Sequence, residues 1–72
     1  MNERMFLEVW GSELRRLREA SGQTQKDLAL KLKTTQKQVS RVENGGNITL
    51  GTMYRWFEAC GVEPYIPDNT RV

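Results

Sequence analysis

The chain has 72 residues, 38% hydrophobic and 28% charged, with a formal charge of +2 and no histidine. That suffices for one domain with a small single core, in the composition range of folded chains, but not for a deep catalytic cleft beside that core, so an enzyme is the least expected class. Cys60 is the only cysteine, so no internal disulfide and no common zinc-ligand spacing is available, and neither a metal nor another cofactor is expected. No run approaches the roughly 18 apolar residues of a membrane span, and Glu3 and Glu8 do not suit a secretion signal. The expected setting is reduced and cytoplasmic, with no membrane partner.

In chain order the sequence reads as four helices separated by short turns, with no convincing strand alternation, so the fold class is all-α. In the first segment Phe6, Trp10, Leu14 and Leu17 recur at spacings of four, four and three, one face of a helix. It ends near Ala20-Ser21-Gly22, where glycine can take the left-handed conformation that closes a helix. Two starts are open. Asn2 can cap a helix that runs through Gly11, at about 1 kcal/mol for the glycine, or Ser12 can cap a shorter one; the longer version is preferred.

The second segment opens "TQKD", where Thr24 is a favourable N-cap and Asp27 the acidic answer of a capping box. Leu28, Ala29 and Leu32 form its buried stripe. The third repeats the device in "TQKQ", with Thr35 as cap and Gln38 answering. Only Lys33 and Thr34 separate the two helices, so they must meet steeply as a helix-turn-helix. After the loop "NGGNI" a fourth helix starts at the cap Thr49 and runs to Cys60, where Gly61 ends it. Leu50, Met53, Phe57 and Cys60 should face the core, with Trp56 on the flank. Pro64 and Pro67 forbid a regular helix beyond and leave a short extended tail. The expected division is a helix-turn-helix domain over 1–62, its motif at about 24–44, and a tail over 63–72 that is available for a dimer contact.

The charge is unevenly placed. Residues 24–44 hold five cations (Lys26, Lys31, Lys33, Lys37, Arg41) against Asp27 and Glu43, while the remainder holds six cations and seven anions. Advancing by about 100° per residue, the third helix gathers Val39 and Val42 on one side and Lys37, Ser40, Arg41 and Asn44 on the other, with Gln36 at the edge. Most polar helix faces are simply solvated. A solvated face, however, mixes acid and base at four-residue spacing, whereas Lys37 and Arg41 are two cations one turn apart, which costs roughly a few tenths of a kcal/mol in an isolated helix. The pair makes sense where an anion arrives. These residue types also suit base edges in a DNA major groove: Gln for adenine, Lys and Arg for guanine, Ser for either.

Here the sequence resembles a known family. The stretch "LRRLREASGQTQKDLALKLKTTQKQVSRVENG", Leu14 to Gly45, followed by "LGTMYRWFEACGV", is similar to the helix-turn-helix DNA-binding domain of the Cro and phage-repressor type, the Xre family. Thr24-Gln25, Leu28-Ala29, the threonine pair, Val39-Ser40-Arg41 and Glu43-Asn44-Gly45 all fall in register. The resemblance implies a compact bundle of four to five helices of the lambda-repressor-like type that binds double-stranded DNA. It implies base reading by Gln36, Lys37 and Arg41, with Thr35 and Ser40 beside them. It further implies phosphate contacts from Thr24, Gln25, Lys33, Asn44, Gly46 and Asn47, and a structural ion pair of Arg18 with Glu43 that fixes the recognition helix.

Three departures qualify it. Lys33 stands where the family commonly has glycine, which costs about 1 kcal/mol if the position is left-handed, although there the side chain can reach a phosphate. Gln23 replaces a usual apolar residue and should weaken packing at the entry to the second helix. The loop Gly45-Gly46-Asn47 lacks the basic residues of many relatives, so its DNA contacts should come from backbone N–H groups.

Trp10 and Trp56 read as core aromatics or as partner anchors. If one is exposed, it should be Trp56, with Tyr54 or Tyr65, at a dimer contact. Cys60 reads as a buried small hydrophobe rather than a redox switch. Asp27 and Glu43 are not a catalytic pair, since a cap and an ion pair account for them. The function expected is a sequence-specific transcription regulator, a repressor that binds a palindromic operator as a homodimer. The alternatives are an antitoxin, which adds a toxin as partner, a restriction–modification controller, or, in another class, a helical interaction module without DNA binding.

Overall fold

A computed structural model describes residues 1–65; residues 66–72, with most of the expected tail, lie outside the described residues. The elements are α1 (Glu3–Ala20), α2 (Gln25–Leu32), α3 (Gln36–Glu43) and α4 (Leu50–Ala59), and no strand occurs among the described residues. The longer first helix is the one that forms. Asn2 Oδ1 accepts the Met5 N–H at 2.8 Å, and Gly11 sits inside the helix.

Each helix begins on a side-chain oxygen. Besides Asn2, Thr24, Thr35 and Thr49 accept the N–H groups of Asp27, Gln38 and Thr52 at 3.0, 3.1 and 3.0 Å, each cap contributing on the order of 1 kcal/mol. The capping box at α2 is complete, because Asp27 also accepts the Thr24 N–H at 3.0 Å, and that bond holds its carboxyl below the usual range. The box expected at α3 is only half formed: Thr35 caps, but Gln38 returns no bond among the described residues. Gln38 lines the groove between α3 and α4.

The four ends are built alike. Gly22 and Gln23 bond back to Glu19 and Arg18, Lys33 and Thr34 to Leu30 and Ala29, Gly45 and Gly46 to Val42 and Arg41, and Gly61 and Val62 to Glu58 and Phe57. This pairing needs a left-handed residue where the helix closes. Glycine supplies it three times and Lys33, at φ 58°, once. The strain expected at Lys33 is therefore present.

The core consists of Leu14, Leu17, Leu28, Ala29, Val39, Val42, Trp56, Phe57 and Cys60. Three sequence expectations need correction. Trp56 does not lie on an exposed flank: it is 1% exposed, and its indole N–H donates to the Leu14 carbonyl at 3.1 Å, which satisfies the polar end of a large buried ring. With Trp56 inside, the buried face of α4 is centred between Trp56 and Phe57, and Leu50 is left 82% exposed. Phe6 is 51% exposed, because the buried part of α1 runs only from Gly11 to Arg18. Tyr65 packs on Trp10 and Phe57, with ring centroids 6.2 and 5.0 Å apart, and its hydroxyl donates to Glu13. Hydrogen bonds from Arg16 and Tyr65 hold the Glu13 carboxyl down at about 2. Burial pushes the Cys60 thiol up, so it stays protonated and behaves as a small hydrophobe.

Candidate nucleic-acid interface

The α3 helix is set in place from its buried side. Val39 and Val42 enter the core at 1% and 3% exposure, and the helix packs on both α1 and α2. Gly11 makes the α1 approach possible: a Cβ there would stand 2.5 Å from the Val42 carbonyl oxygen and 2.9 Å from that of Glu43. The glycine that looked like a propensity cost is the point where α1 crosses the end of α3.

Polar locks complete the seat. Arg18 Nε donates to Glu43 Oε2 at 2.6 Å and Arg18 Nη2 to Glu43 Oε1 at 3.1 Å, a two-point pair with both side chains buried. The Glu43 carboxylate raises the Arg18 guanidinium further above its usual range. Arg18 Nη1 donates to the Gln23 carbonyl at 2.8 Å, and Gln25 Nε2 to Glu43 Oε1 at 3.0 Å. One carboxylate at the end of α3 therefore ties down α1, the first turn of α2 and, through Arg18, the connection between them. The resemblance implied the ion pair; Gln25 was read only as a phosphate contact and Gln23 only as a weakened packing position, and their bonds to the pair were missed. Gln25 opens α2, and nothing in its local spacing shows that its amide reaches Glu43, 18 residues on.

Gln23 has a second task. Its side-chain amide donates to Ser21 Oγ at 2.9 Å and to the Ala59 carbonyl at 3.0 Å, clasping the end of α4. A polar residue thus replaces the expected apolar contact with hydrogen bonds, although its Oε1 is buried without a partner.

On the outer side of α3, Thr35, Gln36, Lys37 and Arg41 are exposed and Ser40 is half-buried. Lys37 and Arg41 take part in no ion pair among the described residues. Gln36, Lys37, Ser40 and Arg41 therefore share the outer side of α3, with Thr35 at its N-cap, and the two cations are unpaired among the described residues. Thr24 and Gln25 stand at the start of α2, and Lys33 lies exposed in the turn. Asn44 is partly engaged: its Nδ2 donates to the Ser40 carbonyl at 2.8 Å.

The loop after α3 corrects another expectation. The Gly46 N–H, expected to meet a phosphate, donates to the Arg41 carbonyl at 2.8 Å. Closing the helix comes first, since an open carbonyl there would lose its partner. Asn47 remains exposed.

A family model for helix-turn-helix proteins matches residues 14–66. The chain belongs to the Cro/C1-type helix-turn-helix family. Among solved structures, it is similar to the restriction-modification controller protein C.AhdI from Aeromonas hydrophila, at 30% identity and a TM-score of 0.81, over 88% of this chain and 93% of that one. No curated protein sequence matches. Membership makes this helix-turn-helix protein a DNA-binding regulator. No helix among the described residues is long and apolar enough to cross a membrane.

Proposed function

We propose that this protein is a sequence-specific transcription regulator, a repressor that reads a palindromic operator as a homodimer. The observation that carries the reading is the outer face of α3, where Gln36, Lys37, Ser40 and Arg41 stand together without a carboxylate partner among the described residues on a helix fixed from behind by the Arg18–Glu43 pair. In a major groove, Lys37 and Arg41 would meet guanine and Gln36 adenine. Thr24, Gln25 and Lys33 would hold the flanking backbone, which sets register without reading sequence.

A single helix reads too few base pairs to find one site in a genome, so two copies on half-sites about one helical turn apart are required. In support, α1 and α4 leave Phe6, Val9, Leu50 and Tyr54 in solvent, apolar area of the kind a partner copy covers. The likeness to a restriction-modification controller over nearly that protein's full length favours one variant of this reading, a regulator that controls a restriction–modification operon. That variant expects selected sites to lie ahead of such an operon.

Lys37→Ala tests the reading. Its affinity for the selected operator should fall by about 1–3 kcal/mol with relaxed preference at one base position, while affinity for random DNA changes much less. Equal loss on both DNAs, measured by fluorescence anisotropy, would contradict base reading. Sedimentation of the complex should give two chains per operator.

A further inference from the structure

The packing leaves a gap beside the recognition helix. α3 rests on α1 and α2, and α4 on α2, while between the inner flank of α3 and the first turns of α4 runs an open groove of about 310 Å³, near the lower limit for small-molecule sites. Leu32, Ile48 and Trp56 give it apolar walls, and Lys33, Gln38 and Arg55 also line it. Gaps between helices are common, but two features set this one apart. Its charge is one-sided: both charged residues lining it are cations, and Glu58, a neighbour of Arg55, lines a separate depression with Lys31. Lys33 and Arg55 form no ion pair among the described residues, and Arg55 is steered by Thr52, whose Oγ1 accepts from its Nη2 at 3.2 Å. The second feature is Gln38, half-buried, whose side-chain amide makes no hydrogen bond among the described residues.

We propose that this groove is an effector site for a small amphipathic organic anion, an aromatic carboxylate being the simplest class that fits. The apolar body lies against Leu32, Ile48 and Trp56, and the carboxylate meets Arg55, whose planar pair of donors matches it. Lys33 adds a second positive charge, and the Gln38 amide serves a polar edge of the ligand. None of Gln36, Lys37 and Arg41 lines the groove, so a ligand there does not compete for the base-reading face. By filling the gap it bridges α3 to α4, holds the recognition helix in the orientation described above and raises operator affinity. That last consequence rests on the DNA-binding reading above, whereas the site itself does not.

The test titrates 2-naphthoate and its neutral amide, 2-naphthamide, into the whole chain and its Arg55→Gln variant, followed by nuclear magnetic resonance shifts. Naphthoate should give saturable shifts at Leu32, Gln38, Ile48, Thr52 and the Trp56 indole at about millimolar concentration or below, and naphthamide should bind roughly tenfold more weakly. Arg55→Gln should bind the two alike and keep the parent's thermal midpoint, since its one hydrogen bond is exposed. No saturable shifts, equal binding of acid and amide to the parent, or shifts centred on the exposed Met5, Phe6 and Val9 would overturn the site. In a second arm, operator affinity is measured with and without saturating naphthoate and should rise about fivefold or more. Unchanged or lower affinity with the groove occupied would overturn the effector role. A parent that binds no operator would remove that role together with the DNA-binding reading, and the first arm would still decide the site without DNA.

Discussion

The cations of α1 and those of α3 stand in opposite situations. Along α1, Arg4 pairs with Glu8, Arg15 with Glu19 and Arg16 with Glu13, each three or four residues away, and Arg18 is buried against Glu43. Along α3, Lys37 and Arg41 have no such partner among the described residues. Both helices are polar on their outer sides, yet one neutralises its charge within itself and the other leaves it unpaired among the described residues. Surface charge on α1 serves solubility and helix stability; the unpaired charge on α3 costs roughly a few tenths of a kcal/mol, which the proposed DNA contact would offset.

The sharpest way to break this arrangement is at the residue that joins the two helices. Glu43→Ala leaves the Arg18 guanidinium buried without its partner and frees the Gln25 amide, and should cost about 3–5 kcal/mol, read as a lower midpoint in urea unfolding. For a domain of this size such a loss is a large share of total stability. Gly11→Ala comes next. Helix propensity alone predicts a gain of about 1 kcal/mol, whereas a Cβ held 2.5 Å from the Val42 carbonyl oxygen predicts a net loss of about 1–3 kcal/mol as α1 is pushed off α3. A rise in melting temperature would contradict the close approach. Lys33→Gly should raise stability by about 1 kcal/mol by relieving the left-handed lysine while weakening DNA binding through the lost charge, which separates backbone strain from function at one position. Smallest of all, Arg15→Gln removes an exposed pair on α1 and should change unfolding free energy by less than about 0.5 kcal/mol and leave operator affinity unchanged.

The same contrast explains what could be read from the sequence. Caps and turns were legible because each is a local device: Asn2, Thr24, Thr35 and Thr49 open their helices, and Gly22 and Gly61 close theirs as expected. The outer face of α3 was legible because helical period alone sorts Val39 and Val42 from Lys37 and Arg41. What the chain did not reveal was set by contacts between elements. Whether Trp56 or Leu50 lies inside depends on the rotation of α4 against Leu14, and periodicity cannot resolve residues one position apart at the edge of a stripe. Gly11 and Gln23 looked unfavourable as isolated residues, and both are explained by what crosses them in space. The Gly46 N–H was assigned outward because its competing acceptor, the Arg41 carbonyl, appears only once the helix end is closed.

The central claim is that the unpaired face of α3 reads sequence, and selection of bound sites from a random DNA pool, repeated at two salt concentrations, tests it most directly. The account predicts recovery of an inverted repeat with half-sites about one helical turn apart and affinity that falls steeply with salt. Weak binding with no enriched sequence would contradict it, leaving the exposed apolar surfaces of α1 and α4, and a protein partner for them, as the better explanation of the molecule.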